Sequence, residues 1–278
     1  MNIKELLIYG KNELLNKEDS LYLAKLLLKD LLNKDSNYIV IHSNEIINNE
    51  IELQFKEKIK LLNKGIPIQY LINKQEFMGL NFYVDKNVLI PQPDTECLVE
   101  EILKNYDNNN QYAILDLCTG SGAIGISLAN KLEKSNIYFS DISKKALEIA
   151  EKNAISNNVS NRCNFILSNM FENVNFKFDI IVSNPPYIET DVINNLSIEV
   201  RNEPIIALDG GSDGLKFYKI IANNAYKYLN KDGMLALEIG YNQKLDVIEI
   251  LEKTNKYTNI YSVKDYGNND RVIIAYLK

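Results

Sequence analysis

The stretch ILDLCTGSGAIGISLA, residues 114–129, joins a short apolar run to a second apolar run through a glycine-rich turn. The first run predicts a buried strand that ends near Leu117, and the second run predicts a helix. Gly120, Gly122 and Gly125 follow the spacing G-x-G-x-x-G. Glycines at this spacing let a ligand approach the backbone and let the helix pack closely on the strand. The stretch therefore predicts a nucleotide-type binding turn at the carboxyl end of a strand.

The glycine turn alone does not choose its ligand. Asp141 ends the next predicted strand. Its separation in sequence from the glycine turn is about that expected for an acid that accepts hydrogen bonds from ribose hydroxyls. The same construction binds NAD, FAD or S-adenosylmethionine, so an oxidoreductase and a methyltransferase are about equally favoured at this point. A tight turn without a ligand is a weaker third interpretation. In a parallel sheet, Asp116, Asp141 and Asn184 would all lie along the edge where ligands bind.

From about residue 94 onward, predicted strands and helices alternate along the chain. Such alternation predicts an α/β domain, in which helices cover both faces of a mainly parallel sheet. The last two predicted strands are joined by the short turn GNND, residues 267–270. A turn of this length permits only an antiparallel pair. We therefore expect a mainly parallel sheet that ends in an antiparallel hairpin.

The first part of the chain has a different pattern. Residues 1–75 carry leucines and isoleucines at helical spacing, which predicts a small all-helical domain. Residues 76–92 favour strands, with Asp-Lys-Asn at 85–87 as the expected turn of a β-hairpin linker. The sequence thus predicts a helical domain, a hairpin linker and a third domain over residues 93–278.

Composition excludes several classes of function. The chain of 278 residues has a formal net charge of −6, which argues against a broad surface for nucleic-acid phosphates. The N-terminal residues are charged throughout, and no apolar run approaches the roughly 18 residues of a membrane span. Cys97, Cys118 and Cys163 are far apart and form no CxxC pair, so no metal site is predicted. Free thiols suit the reducing cytoplasm, which is the expected location.

The segment FDIIVSNPPYIET, residues 178–190, ends an apolar run with an amide, two prolines and an aromatic ring. Prolines restrict φ and donate no backbone hydrogen bond, so Pro186 stiffens the turn and the carbonyl of Pro185 can point outward. The amide oxygen of Asn184 is a second acceptor. Two adjacent acceptors match the two hydrogens of one planar NH₂ group, and the ring of Tyr187 offers a surface for stacking.

This segment favours chemistry on an amide or aromatic amine. The lone pair of such a nitrogen is delocalised, so the nitrogen must be oriented toward an electrophile, and its developing charge must be stabilised. No histidine base is needed, and the only histidine, His42, lies in the predicted helical domain. The weaker interpretation is a turn that only ends a strand.

Several functions remain compatible with these residues. A DNA or RNA amino-methyltransferase that acts on adenine or cytosine would also need two acceptors, together with a basic groove and a flipped base. The acidic balance and the absence of Lys/Arg runs around Asn184 count against it. An NAD-dependent dehydrogenase would need a hydride-transfer acid–base pair, which the chain does not offer. An inactive binding module is the last alternative.

Four further stretches of the chain carry recognisable motifs: EFMGLNFYVDKNVLIPQPDTECLVE, VSNPPYI, EVRNEPIIALDGGSDGLKFY and KDYGNNDRVIIA. Together with the glycine turn, they resemble the sequences of the peptide chain release factor glutamine methyltransferases (HemK/PrmC-like). The resemblance covers most of the chain. It implies a seven-stranded Rossmann-like sheet and methyl transfer from S-adenosylmethionine, with S-adenosylhomocysteine as product and no metal. The implied substrate is the side-chain amide nitrogen (N5) of the Gly-Gly-Gln glutamine in class 1 release factors, an activity that modulates translation termination, with no membrane or stable nucleic-acid partner.

The resemblance also assigns roles to residues. Asp141 would hold the ribose of the cofactor, and Met170 and Phe171 would lie near its adenine. The methionine end would lie against the turn formed by Cys118, Thr119, Gly120, Ser121 and Gly122. Asn184, Pro185, Pro186 and Tyr187 would bind the glutamine amide, with Asn184, Pro185 and Tyr187 as catalytic residues and Asn184 also contacting the cofactor.

The chain departs from the family pattern at two positions. Cys118 stands where the family usually has glycine, so its side chain either crowds the cofactor or packs against the sheet. Gln92 stands where the family often has arginine, and no binding role is assigned to it. The segment Arg201–Gly211 is expected to form a loop over the active site, within which Glu203 either packs or functions.

Overall fold

The computed structural model describes residues 1–14 and 17–278. Its contacts divide the chain into two compact units. The first unit comprises Met1–Asn73 and Ser197–Asn202, and the second comprises Lys74–Leu196 and Glu203–Lys278. No helix within the described residues is long and apolar enough to cross a membrane.

The described part of the first unit is helical. Leu6, Leu27 and Phe55 are completely buried in its apolar core. Gly65 ends one of its helices as a glycine cap: it has φ +84, its N–H donates to the Leu62 carbonyl, and the N–H of the next residue donates to the Leu61 carbonyl. Its helices are α1 Ile3–Glu13, α2 Ser20–Leu32, α3 Ser36–Ile41, α4 Asn49–Asn63, α5 Ile68–Ile72 and, later in the chain, α9 Ile198–Arg201.

The second unit begins with a short hairpin of β1 (Gln75–Phe77) and β2 (Leu80–Phe82). The predicted position of its turn at residues 85–87 is wrong. The chain turns at Met78 and Gly79, which have φ values of +52 and +74, as in the two-residue turns that suit a hairpin twist. Residues 85–87 instead form a local turn, in which the Asp85 carboxylate accepts the N–H of Asn87 at 2.9 Å.

The large sheet has the order β5-β4-β3-β6-β7-β9-β8, and β9 pairs antiparallel with both of its neighbours. The predicted fold class, a mainly parallel seven-stranded sheet with a terminal antiparallel hairpin, is confirmed. The strands are β3 Ala113–Leu117, β4 Asn136–Asp141, β5 Cys163–Leu167, β6 Phe178–Ser183, β7 Leu229–Glu238, β8 Tyr257–Lys264 and β9 Asp270–Leu277.

Helices cover both faces of this sheet because the strand side chains alternate between them. The helices of this unit are α6 Glu96–Asn105, α7 Ala123–Lys131, α8 Lys144–Ser156, α10 Lys216–Asn224 and α11 Lys244–Lys253. In β3, Ile114 packs in the cluster that contains α6 and α7, while Leu115 packs in the cluster that contains α10 and α11.

The strand register aligns the residues that leave the sheet. Leu117 of β3 pairs with Ser140 of β4 and with Ser183 of β6, and Ser183 also pairs with Leu237 of β7. The residues that follow these partners therefore stand side by side at the carboxyl edge. They are Asp141, Cys118, Asn184 and Glu238.

Gly125 lets α7 lie against the sheet. A Cβ at this position would meet Phe139 at 2.4 Å and the Asp116 carboxylate at 2.9 Å. Alanine normally stabilises a helix by about 0.5–1 kcal/mol relative to glycine. At Gly125 we expect the opposite: Gly125→Ala lowers the free energy of unfolding by about 1–3 kcal/mol, because the added methyl overpacks the core.

The measurement is the urea midpoint followed by far-UV circular dichroism. Lys131→Ala, at an exposed position of the same helix, is the matched control and should leave the midpoint nearly unchanged. A Gly125→Ala midpoint at or above that of the wild type would contradict this packing role.

Candidate active site

A cavity of about 400 Å³ lies in the second unit at the carboxyl edge of the sheet. It lies where the strand order reverses, because β3 is followed in the chain by β4 and β5 on one side and then by β6 on the other. Ligands in open α/β sheets bind in this crevice. Of the predicted site residues, the cavity is lined by Cys118, Thr119, Gly120, Ser121, Asp141, Met170, Asn184 and Pro186. Gly122, Phe171, Pro185 and Tyr187 do not line it.

The glycines of the turn differ in what surrounds them. A Cβ on Gly120 would meet nothing within 4 Å, so the backbone there is open to a ligand. A Cβ on Gly122 would lie 2.9 Å from Ile126 and 3.1 Å from Ala150, so this glycine serves close packing. Gly120 thus allows a ligand to approach the backbone, and Gly122 allows the turn to pack closely against the helices behind it.

Asp141 is fixed by the turn that it faces. Its carboxylate accepts the N–H of Gly120 at 2.9 Å and the N–H of Ser143 at 2.8 Å. Burial raises its pKa, and these two backbone N–H groups partly oppose that shift. A carboxylate offers about four acceptor positions, so two remain for hydroxyl donors in the cavity. These acceptor positions fit the two hydroxyl groups of a ribose.

Asp116 stabilises the same turn from inside the protein. It is fully buried, and one carboxylate oxygen accepts from the Thr119 hydroxyl at 2.6 Å and from the Gly125 N–H at 2.9 Å. The other oxygen has no hydrogen-bond partner among the described residues. Burial raises the pKa of Asp116 to about 7. This acid is therefore a structural support, and it does not line the cavity.

Cys118 shows why a small residue suits its position. Its φ of +61 is left-handed, a region that costs an L-residue roughly 1–2 kcal/mol. Its Sγ lies 3.8 Å from the Sδ of Met170, so the side chain packs beside another soft, polarizable group. Burial raises the pKa of the thiol to about 12, and the thiol is therefore neutral at pH 7.

Met170 and Phe171 occupy different environments. Met170 lines the cavity, and its carbonyl accepts from the Ser168 hydroxyl at 2.8 Å. Phe171 is buried in the sheet cluster and stacks on Tyr228, with ring centroids 4.9 Å apart. Only Met170 is thus in direct reach of a molecule in the cavity.

The segment that follows β6 places Asn184 on the cavity wall. The Ser183 hydroxyl donates to the Leu117 carbonyl at 2.6 Å, which ties this strand end to β3. The Asn184 side-chain nitrogen donates to the Thr95 hydroxyl oxygen at 3.4 Å. The hydroxyl of Tyr187 donates to the Glu238 carboxylate at 3.3 Å, so its ring is anchored toward β7.

Hydrogen bonds and close contacts from a glycine-rich stretch hold the end of the Asn-Pro-Pro-Tyr segment. The Ile188 carbonyl accepts from the Gly210 N–H at 2.8 Å, and the Tyr187 carbonyl accepts from the Gln243 side chain at 3.0 Å. A Cβ on Gly210 would lie 2.7 Å from the Tyr187 backbone, and one on Gly214 would lie 2.5 Å from its carbonyl oxygen. The motif LDGGSDGL thus serves close contact with the Asn-Pro-Pro-Tyr segment.

The segment 201–211 also contributes to the cavity. Pro204, Ile206 and Ala207 line it. Glu203 is buried, and its carboxylate accepts the N–H of Ile90 at 2.8 Å. This bond joins the loop to residues 88–92, which line the cavity as well.

Sequence reasoning did not single out two polar residues at this edge, Thr95 and Glu238. Glu238 is 2% exposed, and its Oε2 has no hydrogen-bond partner among the described residues. Burial raises its pKa to about 7, while the Thr95 hydroxyl and the Arg271 guanidinium oppose that shift. The sequence did carry a signal for Glu238, because it is an acid at the end of an otherwise apolar strand, as Asp141 is.

Comparison with known proteins gives matches over both parts of the chain. The family model "Methyltransferase small domain" matches residues 92–201, and "PrmC N-terminal domain" matches residues 5–72. The release factor glutamine methyltransferase of Clostridium acetobutylicum is 39% identical over 281 residues, which cover 99% of this chain and 98% of that protein. The enzyme of the same name from Buchnera aphidicola is 42% identical, with full coverage of both chains.

Solved structures support the fold. A methyltransferase from Pyrococcus furiosus has a TM-score of 0.55 at 19% identity, covering 80% of this chain and 98% of its own. The 16S rRNA N2 G1207 methyltransferase of Thermus thermophilus, solved with AdoMet and guanosine, has a TM-score of 0.54 at 18% identity, covering 74% and 50%. The family indicated by the sequence motifs is confirmed by the full-length relatives: the chain belongs to the release factor glutamine methyltransferase family.

Proposed function

We propose that this protein transfers a methyl group from S-adenosylmethionine to the side-chain amide nitrogen (N5) of the glutamine in the Gly-Gly-Gln segment of class 1 release factors. The position of Asn184 carries the proposal, because this acceptor adjoins the glycine turn on the wall of one cavity. The family relationship supports the same substrate. Such a reaction modulates translation termination, and its substrate is found in the cytoplasm.

The cavity suits the cofactor on three observations. Gly120 leaves open space above its backbone, Asp141 keeps acceptors for two hydroxyls, and the polarizable side chain of Met170 lines the wall, with the Cys118 thiol packed beside it. We propose that Thr119, Ser121 and Gly122 complete the turn around the methionine end and that Phe171 supports the adenine subsite from behind. When bound, S-adenosylmethionine supplies an electrophilic methyl group and leaves as S-adenosylhomocysteine.

Asn184 and Pro185 supply the acceptors for the substrate in this proposal. The Asn184 oxygen and the Pro185 carbonyl would each hold one hydrogen of the glutamine NH₂ group. This arrangement orients the nitrogen and favours the positive charge that develops on it during attack. The S–CH₃ bond of the cofactor would break as the N–CH₃ bond forms, and one of the two amide hydrogens would leave as a proton to solvent. Pro186 stiffens the segment, and Tyr187 provides the wall beside the flat amide.

We further propose that three parts of the chain have different functions. Residues 1–75 would form a substrate-recognition domain, residues 76–92 a hairpin linker, and residues 93–278 the methyltransferase domain. The partner would be the release factor, without stable binding to nucleic acid and without a metal. The family-model matches at residues 5–72 and 92–201 support such a division.

The direct test uses methyl-labelled S-adenosylmethionine with a purified class 1 release factor. Label should appear in the release factor, and Gln→Ala in its Gly-Gly-Gln segment should abolish the signal, because the acceptor nitrogen is then missing. Matched reactions contain DNA or RNA in place of the factor. Label on adenine or cytosine would overturn the proposal in favour of an amino-methyltransferase acting on nucleic acid.

Asn184→Ala should lower kcat by about 100-fold or more, because a preorganised acceptor acts most strongly on the developing charge. The Kd of S-adenosylhomocysteine, measured by calorimetry, should change less than threefold on this account, roughly 0.6 kcal/mol. Asn164→Ala, on the exposed side of β5, is the control. An equal loss of cofactor affinity in Asn184→Ala would contradict the assigned role.

Cys118→Gly should leave cofactor affinity unchanged or improved. Glycine adopts the φ of +61 without strain and removes a side chain from the cavity wall. Cys118→Val should weaken binding, because a branched residue tolerates this φ poorly. Calorimetry with S-adenosylhomocysteine measures both variants, and weaker binding by Cys118→Gly would show that the thiol itself contacts the cofactor.

A further inference from the structure

Thr95 stands at a helix start without capping it. It is the residue before α6, where threonine usually accepts a hydrogen bond from the helix backbone. Here its side chain makes no such bond, because its backbone is already helical, with φ −69 and ψ −19. Thr95 is 4% exposed and lines the cavity. Its hydroxyl is therefore available to other groups at this edge.

One group contacts that hydroxyl directly, and a second lies nearby. The Thr95 oxygen accepts from the Asn184 side-chain nitrogen at 3.4 Å. The second group is Glu238, whose charged form the Thr95 hydroxyl favours. The strand register explains the proximity, since Asn184 and Glu238 each follow one residue of the pair Ser183–Leu237.

One hydrogen bond sets the orientation of the Asn184 amide. The Thr95 oxygen presents a lone pair to the Asn184 nitrogen, so the single hydrogen of this hydroxyl points elsewhere. Asn184 must then turn its NH₂ toward Thr95, which leaves its amide oxygen for the opposite side. Without this control, a rotated Asn184 amide would present hydrogens to the hydrogens of a substrate NH₂ group.

The surroundings hold Thr95 in place. Arg271 pairs with Asp94, the preceding residue, at 3.3 Å and with the buried Asp265 at 3.0 Å. Glu238 is itself anchored, because its Oε1 accepts from the Tyr187 hydroxyl. The turn that carries Thr95 is thus connected to β9 through charged groups, and the neighbouring Glu238 is held by Tyr187.

We infer that Thr95 is a positioning residue for methyl transfer, which turns the amide oxygen of Asn184 toward the substrate nitrogen. This inference rests on the proposed function of Asn184. Thr95 need not touch the reacting atoms; it selects one of the two orientations of the Asn184 amide.

The test compares Thr95→Val, Thr95→Ser and the wild type with a release factor and S-adenosylmethionine. Valine keeps the shape and removes the hydroxyl, so kcat should fall by about five- to twentyfold, as expected for loss of one orienting hydrogen bond. Serine restores the hydroxyl and should retain at least about half of the wild-type kcat. The Kd of S-adenosylhomocysteine and the urea midpoint should stay unchanged, and Thr258→Val, on β8, is the matched control.

A double-mutant cycle separates this inference from the function on which it rests. Because Thr95 acts through Asn184, Thr95→Val should cause no further loss of kcat in the Asn184→Ala background. Losses that multiply, or a serine variant as impaired as the valine variant, would overturn the positioning role. If Asn184→Ala itself kept full activity, the proposed function of Asn184 would fail first, whatever Thr95→Val does.

Discussion

The register of four neighbouring strands is the constraint on which the site depends. Leu117, Ser140, Ser183 and Leu237 stand at one level of the sheet, so the chain leaves all four strands at the same edge. A slip of one residue in any strand would move its terminal polar residue to the other face. The apolar side chains that alternate between two clusters prevent such a slip, because it would move each of them into the cluster on the other face and disrupt the packing of both. The core thus sets the position of the polar edge.

The acidic residues at this edge of the sheet lie in two different environments. Asp141 borders the cavity and is held by two backbone N–H groups, whereas Asp116 and Glu238 are buried and each keep one oxygen without a partner among the described residues. Burial raises the pKa of both buried acids to about 7. The buried acids organise the two flanking segments, the glycine turn and the Asn-Pro-Pro-Tyr segment. The half-buried Asp141 lines the cavity and keeps acceptor positions that these backbone groups do not use.

Local sequence patterns were sufficient to predict the strand ends and the turn that contribute residues to the cavity. The glycine spacing, the acid that ends β4 and the amide that follows β6 predicted which residues meet at the cavity, because parallel strands bring their carboxyl ends together. The hairpin turn was misplaced because methionine gives no signal of the left-handed φ found at Met78. The short helices α3 and α9 carry too few residues to show a period.

Long-range contacts set the limit of sequence reasoning within the site. Thr95 and Asn184 are 89 positions apart, and Ile90 and Glu203 are 113 apart, so no local pattern joins them. The rings of Phe171 and Tyr187 are adjacent in sequence to cavity residues, yet the first stacks on Tyr228 and the second points its hydroxyl to Glu238. Their assigned ligand contacts stay predictions.

The pair of backbone hydrogen bonds to Asp141 has a thermodynamic consequence. They hold the glycine turn and the start of α8 around one carboxylate before any ligand enters. The conformational entropy of this backbone is therefore lost when the chain folds and not when a ligand binds. Ligand association at this edge should then resemble entry into a rigid receptor, in which the amide protons of Gly120 and Ser143 exchange slowly with solvent in the free protein as well as in the complex.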